Sequence, residues 1–436
     1  MNYLNILFSC LVLSKSALAI FVFNNDVKRR LPTGVNHIGL LVDQESGQKR
    51  CTATVIQHLD DSLVVLTAAH CFFPPTKERD KWDRKIFKEL ILDGHSVEDA
   101  FLTSIDHISS KSLFVYQPGD LAQEISKVIF HPHYFSIEYA ELTRRIAPEV
   151  LSEIPDRLQV IDIIKSLWRN TRFLANVGVL ATISKPSGLS QQFENKFLSQ
   201  ASTKNCWAMA VEYLAPWDWI MVRSQVEKEL ENMFGQDSLN NELLRRVVRL
   251  FESYTHFYFG KQLDAPLAYK QAFSYDLALF ETARPQNLKN GDLMRFPNLE
   301  EESQKLHGLM GAGFDQHQHL LAFTPEQPVV RDIKEGKAGL LKFTIDLSQS
   351  NVSQSSFALP FFGDSGAPLF RVLPDKSTEL VGVQSYSSWQ PFPEHIEYYK
   401  LPDVISLFGS NTEVSIGYVN LLIHGGFVDH YLKYRE

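Results

Sequence analysis

Two patterns of apolar and polar positions alternate along the chain. Over 35–134 the apolar residues come in short runs separated by turn residues, for example at 62–67, and such runs predict β-strands. Over 137–268 they recur at the spacing of an amphipathic helix, most clearly at 243–254. The strand pattern returns in the last third of the chain. We therefore expect a mainly β domain that is interrupted by an α-helical insertion.

Length and composition agree with this division. A chain of 436 residues is longer than one typical domain, and its 44% hydrophobic and 22% charged residues are typical of a globular protein. The pattern assigns the first part of the β-rich domain to 20–136, the helical insertion to 137–268 and the remainder of the β-rich domain to 269–436.

The first residues have the form of an export signal. Apolar residues dominate 4–13, and 17–19 (Ala-Leu-Ala) has the small–any–small form that signal peptidase accepts. No basic residue precedes the apolar run and Lys15 interrupts its end, so a buried N-terminal strand and a lipoprotein signal at Cys10 stay open as alternatives. We expect 1–19 to be a signal peptide cleaved after its last alanine, Ala19, which predicts a secreted or periplasmic protein.

The charge of the remaining chain argues against two classes of partner. Residues 1–19 contain one lysine and no acid, so 42 basic residues remain against 51 acidic ones, a net charge of −9. An acidic protein is a poor match for nucleic acid or an anionic membrane. No later segment has the roughly 18 consecutive apolar residues of a membrane-spanning helix. We expect neither nucleic acid nor membrane as a partner after signal removal.

Cysteines outside the signal are three in number. An odd count in an exported protein means that one thiol is free or paired with another chain. Cys51 and Cys71 are close in sequence, whereas Cys206 is remote. The simplest assignment is a Cys51–Cys71 disulfide with Cys206 as a free thiol.

A histidine and an aspartate stand at positions suited to acid–base chemistry. His70 ends a predicted strand after Ala68 and Ala69, whose small side chains leave the imidazole room to reach into a cleft. Asp276 lies inside an apolar run, and a buried carboxylate is costly unless it is paired. Taken alone, His70 is also compatible with a structural histidine, and Asp276 with an edge-strand acid facing water.

A serine flanked by glycines is the third candidate. Gly363 and Gly366 permit a tight turn around Ser365 that points the N–H groups of Gly363 and Ser365 at one spot. A Gly-Asp-Ser-Gly loop also arises readily by chance. Together, however, Ser365, His70 and Asp276 supply a nucleophile, a base and a carboxylate that orients the base.

In the order His70, Asp276, Ser365, the chain resembles the trypsin/chymotrypsin family of serine proteases. The interval of 89 residues between Asp276 and Ser365 is close to that of the family. The matches cover about two thirds of the chain. Further matching stretches are the cysteine pair beside the histidine, 128–134 with its His-Pro-x-Tyr ending, the 310–313 turn and the 380–386 strand.

The resemblance implies a two-barrel, mainly β, chymotrypsin-like fold and a secreted serine endopeptidase. Ser365 would attack the scissile carbonyl, His70 would take its proton, and Asp276 would orient His70. The N–H groups of Gly363 and Ser365 would form the oxyanion hole. The implied substrate is a protein or peptide, and the implied mechanism needs no cofactor and no metal ion.

The resemblance also implies three substrate-binding residues. By ungapped counting, Leu359 stands where trypsin-like members carry the acid that binds a basic side chain. Gln384 lies near the position of a histidine in glutamyl endopeptidases, and Ser385 stands in the place of the serine of the family motif. These residues predict poor cleavage after Lys and Arg and leave a polar or acidic preference open.

Departures from the family are equally visible. The 206 residues between His70 and Asp276 are several times the usual interval. The other disulfides of animal members are missing, which indicates a bacterial style, and no Arg-Ile-Val-Gly-Gly activation sequence is present. An alternative of another class is an inactive protease fold that serves as a binding module through its helical insertion. The complete triad argues against this alternative.

A histidine pair, His131-x-His133, has the spacing that puts two rings on one strand face, where a metal ion could bind. No third ligand is apparent in the sequence. We therefore interpret both as surface or packing histidines.

Overall fold

The computed structural model of the chain describes most of the predicted strands and helices. The predicted signal peptide, 1–19, and Gly363 lie outside the described residues. The described ranges are 21–22, 35–72, 81–116, 122–183, 203–214, 216–260, 273–285, 293–297, 309–314, 320–323, 330–335, 339–346, 358–359, 364–390 and 413–434.

The chain folds into two compact units. The first, here called the β unit, comprises 1–74, 108–134 and 270–436, and the second, the helical unit, comprises 75–107 and 135–269. The larger segment of the helical unit begins and ends within two residues of the predicted insertion, 137–268. Its smaller segment, 75–107, is a difference, because the sequence pattern assigns it to the β-rich domain.

Helices account for most of the described helical unit and for the C-terminus of the β unit. Within the described ranges, none is both long and apolar enough to cross a membrane. They are α1 (Lys81–Leu92), α2 (Val97–Ser109), α3 (Pro132–Ser152), α4 (Arg157–Arg169), α5 (Thr171–Ile183), α6 (Thr203–Tyr213), α7 (Pro216–Phe234), α8 (Glu242–Phe259) and α9 (Leu421–Tyr434).

The prediction of strands throughout 35–134 is wrong at α1 and α2. Phe87 and Ile91 are four residues apart on α1 and both are buried, so the apolar face follows the helical period. At the start of α2 the Asp99 N–H donates to Ser96 Oγ at 3.0 Å. This Ser-x-x-Asp cap is a sequence signal for the start of a helix. Here it outweighs the strand signal of the short apolar runs.

Strands build the β unit. The described strands are β1 (Phe21–Val22), β2 (Ile38–Asp43), β3 (Lys49–His58), β4 (Ser62–Thr67), β5 (Ser112–Val115), β6 (Gln123–Phe130), β7 (Ala278–Ala283), β8 (Leu309–Phe314), β9 (Leu320–Phe323), β10 (Val330–Glu335), β11 (Leu340–Asp346), β12 (Ala358–Leu359), β13 (Pro368–Val372), β14 (Thr378–Gln390) and β15 (Glu413–Asn420).

Six of these strands close into a barrel in the order β2-β3-β4-β7-β6-β5, and every pair is antiparallel. A second antiparallel sheet has seven strands in the order β10-β11-β15-β14-β13-β8-β9. Closure removes the free edges of the barrel. The described strands thus form one barrel, one seven-stranded sheet and the two-stranded sheet β1–β12, where the resemblance implies two barrels.

One hydrophobic core joins the barrel to the second sheet. Val64 and Leu66 of β4 and Leu279 of β7 lie in the same buried cluster as Phe370 of β13 and Val383 of β14. Burial of these side chains fixes the two sheets against each other. Residues at the ends of β4, β7 and β13 are thereby held in one region of the β unit.

The helical unit has a polar cluster in its interior. Tyr139 of α3 donates from its hydroxyl to Glu252 Oε1 of α8, and Glu252 is 5% exposed. Burial raises the pKa of the Glu252 carboxyl from its ordinary value near 4.5 to about 8, although the Tyr139 hydrogen bond opposes the shift. Burial also lowers the pKa of His256, one helical turn further on, to about 3. Both groups are therefore uncharged at mildly acidic pH.

We expect the helical unit to lose stability as the pH rises from 5 to 8. The folded unit keeps the Glu252 proton that the unfolded chain releases above its ordinary pKa near 4.5, which lowers the free energy of unfolding by about 3 kcal/mol over this range. His256 opposes this by about 2 kcal/mol, because its pKa falls from 6.5 to about 3 on folding and only the unfolded chain holds the imidazole proton at pH 5, so the net fall is about 1 kcal/mol. The Glu252→Gln variant keeps only the His256 contribution and should instead gain about 2 kcal/mol of stability from pH 5 to pH 8. Five of the six tryptophans belong to the helical unit, so tryptophan fluorescence in urea measures the effect.

A matched control is Glu149→Gln, which removes an exposed carboxylate from α3 and should keep the pH slope of the natural protein. If the natural protein and Glu252→Gln change in stability by the same amount between pH 5 and pH 8, Glu252 is ionised in the folded unit.

Candidate active site

The ends of β4 and β7 bring together His70 and Asp276. These strands are antiparallel neighbours, and Thr67 pairs with Ala278 at one end of the ladder. His70 follows Thr67 by three residues, and Asp276 precedes Ala278 by two. The same end of the barrel therefore carries both side chains, although 206 residues separate them in sequence.

Asp276 is fully buried and accepts three hydrogen bonds. Its Oδ1 accepts the backbone N–H of His70 at 2.8 Å. Its Oδ2 lies 2.6 Å from His70 Nδ1 and accepts the Ser385 hydroxyl at 2.6 Å. A buried carboxylate with three donors is compensated for the loss of water. These three hydrogen bonds offset the desolvation free energy that burying an unpaired Asp276 carboxylate would cost.

The contact with Asp276 sets the tautomer of His70. An ionised carboxylate requires the proton on Nδ1, which leaves the lone pair on Nε2. The His70 side chain is 18% exposed, and Phe273 meets the ring edge-on with centroids 6.1 Å apart. His70 is therefore a partly accessible base whose orientation is fixed from the buried side.

A disulfide braces the His70 turn. Cys51 of β3 is bonded to Cys71, whose Cα lies 6.0 Å away. Ala69–Cys71 forms a single 3₁₀ turn in which the Cys71 N–H donates to Ala68 O at 3.2 Å. The expected Cys51–Cys71 pairing is present, and Cys206 is a buried cysteine that takes no part in a disulfide among the described residues.

Replacing Cys51 and Cys71 together with alanine should lower the free energy of unfolding of the β unit by about 3 kcal/mol. The disulfide closes a loop of 20 residues, and the unfolded chain regains that freedom when it is lost. Denaturant titration with circular dichroism measures the change, and Cys206→Ala controls for loss of a thiol elsewhere. If both thiols of the purified protein react with iodoacetamide without reduction, the disulfide assignment is wrong.

Ser365 stands in a tight turn that is tied to β14. The Gly366 N–H donates to Gln384 O at 2.7 Å, and the Gln384 N–H donates to Ala367 O at 2.8 Å. Within the turn, the Ala367 N–H donates to Asp364 O at 2.8 Å. Ser365 itself is partly exposed, whereas Asp364 is completely buried. The turn thus presents the serine outward and keeps the aspartate inside.

The same turn packs on the barrel strands that lead to His70. The Thr52 N–H donates to Ser365 O at 2.8 Å, and Cys71 Sγ lies 3.9 Å from that oxygen. A Cβ on Gly366, whose φ is +85°, would lie 2.0 Å from Thr52 O and 2.1 Å from Thr67 Oγ1. Only glycine fits this approach. The serine turn therefore contacts the residue next to His70.

The predicted substrate-binding residues divide into three cases. Leu359 is described by its backbone alone, which pairs with Phe21 in the two-stranded sheet β1–β12. Gln384 is 1% exposed and flanks the serine turn, and within the described residues its Oε1 has no hydrogen-bond partner. Ser385 is also 1% exposed and its hydroxyl binds Asp276. The side chain of Ser385 therefore supports the carboxylate.

Metal-ligating residues converge at one place in the described part of the chain, and that place is the disulfide. A His70 ring nitrogen and the sulfurs of Cys51 and Cys71 lie within 4.8 Å of one another, but the sulfurs are bonded to each other and offer no thiolate. His131 and His133 do not share a strand face, because β6 ends at Phe130 and His133 lies in α3. Their rings stack at 5.6 Å.

Sequence reasoning missed one residue of this site, Lys49 of β3. It named Ser385 as a substrate-binding residue and did not foresee the hydrogen bond from Ser385 to Asp276. Lys49 Nζ lies 2.8 Å from Asp364 Oδ1, and both side chains are buried. A single lysine near the start of a strand carries no local signal of such a partner. The pairing depends on residues 315 positions apart.

No protein-family model matches the chain, and no curated protein matches it. What can be inferred about function therefore comes from the arrangement of His70, Asp276 and the Ser365 turn.

Proposed function

We propose that the chain is an exported serine endopeptidase with a chymotrypsin-like protease domain and a helical insertion. The observation that carries the proposal is the His70–Asp276 pair, with its 2.6 Å contact, beside a serine turn whose carbonyl lies 3.9 Å from Cys71 Sγ. A base oriented by a buried carboxylate next to a glycine-flanked serine is the arrangement that nucleophilic catalysis by serine requires.

In the proposed reaction, Ser365 Oγ attacks the carbonyl carbon of the scissile peptide bond while His70 Nε2 takes the hydroxyl proton. The N–H groups of Gly363 and Ser365 stabilise the oxyanion of the tetrahedral intermediate. His70 then gives the proton to the leaving amine, which leaves an acyl-enzyme. Water, deprotonated by His70, hydrolyses the acyl-enzyme and restores Ser365. Asp276 stabilises the imidazolium that exists between the transfers.

The closed six-stranded barrel and the second antiparallel sheet support the chymotrypsin-like assignment, because the candidate residues stand at strand ends of both sheets. The Cys51–Cys71 disulfide supports export, since disulfides persist in oxidising compartments. The proposed location is outside the cytoplasm, with 1–19 as the signal.

A fluorophosphonate probe tests the proposal. It phosphonylates a serine whose hydroxyl is activated by a neighbouring base, and peptide mapping should find the adduct on Ser365. Ser46→Ala, which removes an exposed hydroxyl from the β2–β3 turn, should label like the natural protein. An unlabelled natural protein that is folded would support the alternative of an inactive protease fold used as a binding module.

We expect poor cleavage after Lys and Arg. Gln384 and Tyr418 face each other across β14 and β15, and both are buried. Within the described residues, Gln384 Oε1 and the Tyr418 hydroxyl have no hydrogen-bond partner. Neutral polar groups beside the serine turn do not compensate a buried ammonium or guanidinium. A peptide-library profile dominated by Lys or Arg before the cleaved bond would contradict this expectation.

A further inference from the structure

An ion pair lies directly behind the serine turn. Asp364, the residue before Ser365, is 0% exposed, and its Oδ1 is 2.8 Å from the Nζ of Lys49, whose side chain is 5% exposed. Two aromatic residues lie near the pair. Lys49 Nζ lies 5.8 Å from the centre of the Phe314 ring, and Tyr418, close enough to Asp364 for its charge to act on the phenol, is fully buried.

Stability alone does not account for this pair. Moving two charges out of water is costly, and apolar residues of similar volume commonly replace buried ion pairs without loss of stability. An ion pair does provide direction, because an ammonium and a carboxylate at hydrogen-bond distance fix each other's position. The ion pair points the Asp364 carboxylate into the protein interior, away from the partly exposed Ser365.

The strand that carries Lys49 also contacts the other half of the site. On β3, Cys51 is bonded to Cys71 beside His70, and the Thr52 N–H holds the carbonyl of Ser365. Lys49 and Thr52, both on β3, therefore bind the consecutive residues Asp364 and Ser365. Because β3 contacts both turns, it fixes the position of the serine turn relative to the histidine turn.

We propose that Lys49 is a positioning residue of the active site: its ammonium holds Asp364 inward and so fixes the Ser365 hydroxyl and backbone N–H in the reactive geometry. The inference rests on the proposed function.

The decisive variant is the double substitution Lys49→Met with Asp364→Asn. Lys49→Met alone leaves an unpaired buried carboxylate and is expected to impair folding, whereas the double variant removes both charges at nearly constant volume. We expect it to fold with the Cys51–Cys71 disulfide intact. Its kcat should fall about 100-fold with KM nearly unchanged, as for a displacement of about 1 Å at the reacting atoms, and fluorophosphonate labelling of Ser365 should slow in parallel.

Two controls make the result specific. Arg50→Met removes the neighbouring cation of β3, which pairs with Asp43 near the surface, and should keep kcat. Titration of active sites counts the competent molecules: a merely structural role predicts fewer sites with a normal rate per site, and a positioning role predicts a full count with a slow rate.

Three results overturn the inference. A folded double variant with the natural kcat and labelling rate removes the role of Lys49 and leaves the proposed function intact. A reduced count of sites with a normal rate per site assigns Lys49 to folding alone. A natural protein that fluorophosphonate does not label overturns the proposed function, and the role of Lys49 with it.

Discussion

Replacing Ser365 with alanine is expected to lower the turnover of peptide substrates by about 10⁶-fold, the scale of loss when a triad nucleophile is removed. In the proposed mechanism the substitution deletes the one atom that would form the acyl-enzyme, and neither His70 nor Asp276 can replace it. Little change in stability is expected, because Ser365 is partly exposed and the hydrogen bonds of its turn are made by the backbone. Hydrolysis of a fluorogenic peptide and thermal unfolding measure the two quantities.

The Ser46→Ala variant, purified in the same way, guards against a contaminating protease, because both preparations would carry the same background. Fluorophosphonate should label the natural protein and Ser46→Ala but not Ser365→Ala. If Ser365→Ala keeps more than about a tenth of the natural turnover, a loss far short of the triad scale, the nucleophile lies elsewhere and the assignment of the site is wrong.

The elements that hold His70 and Asp276 were within reach of sequence reasoning. The apolar run at 62–67 predicts β4, and His70 follows it directly. The apolar run after Asp276 predicts β7 in the same way. The apolar pattern does not predict that β4 pairs with β7, because His70 and Asp276 are 206 residues apart. The expectation that His70 and Asp276 share one site came from the family resemblance.

Other features were missed, for two different reasons. At α1 and α2 the sequence does carry helix signals, namely the four-residue spacing of Phe87 and Ile91 and the cap at Ser96, but short apolar runs in the same segment also fit strands. The Lys49–Asp364 pair and the Ser385–Asp276 hydrogen bond depend on tertiary structure alone. Neither contact produces a periodic pattern in the sequence that would reveal it.

Replacing Asp276 with asparagine should lower turnover by about 10⁴-fold while the fold persists. The side-chain volume is unchanged. An amide that keeps its oxygen on the His70 backbone N–H puts its NH₂ group in the place of Oδ2, against His70 Nδ1 and the Ser385 hydroxyl, and this favours the His70 tautomer with the proton on Nε2. In that tautomer His70 cannot accept the Ser365 proton. The loss should appear in kcat, because substrate binding does not depend on the tautomer, and steady-state kinetics at several pH values measure it.

Ser385→Ala is the matched control for this loss. It removes one of the three hydrogen bonds to Asp276 and leaves the carboxylate and the His70 tautomer in place. One hydrogen bond to a charged group corresponds to about 1.5 kcal/mol, so a loss of about tenfold is expected. Equal losses in Ser385→Ala and Asp276→Asn would mean that the geometry of the carboxylate, and not the tautomer it selects, governs catalysis. Full activity in Asp276→Asn would remove Asp276 from the triad.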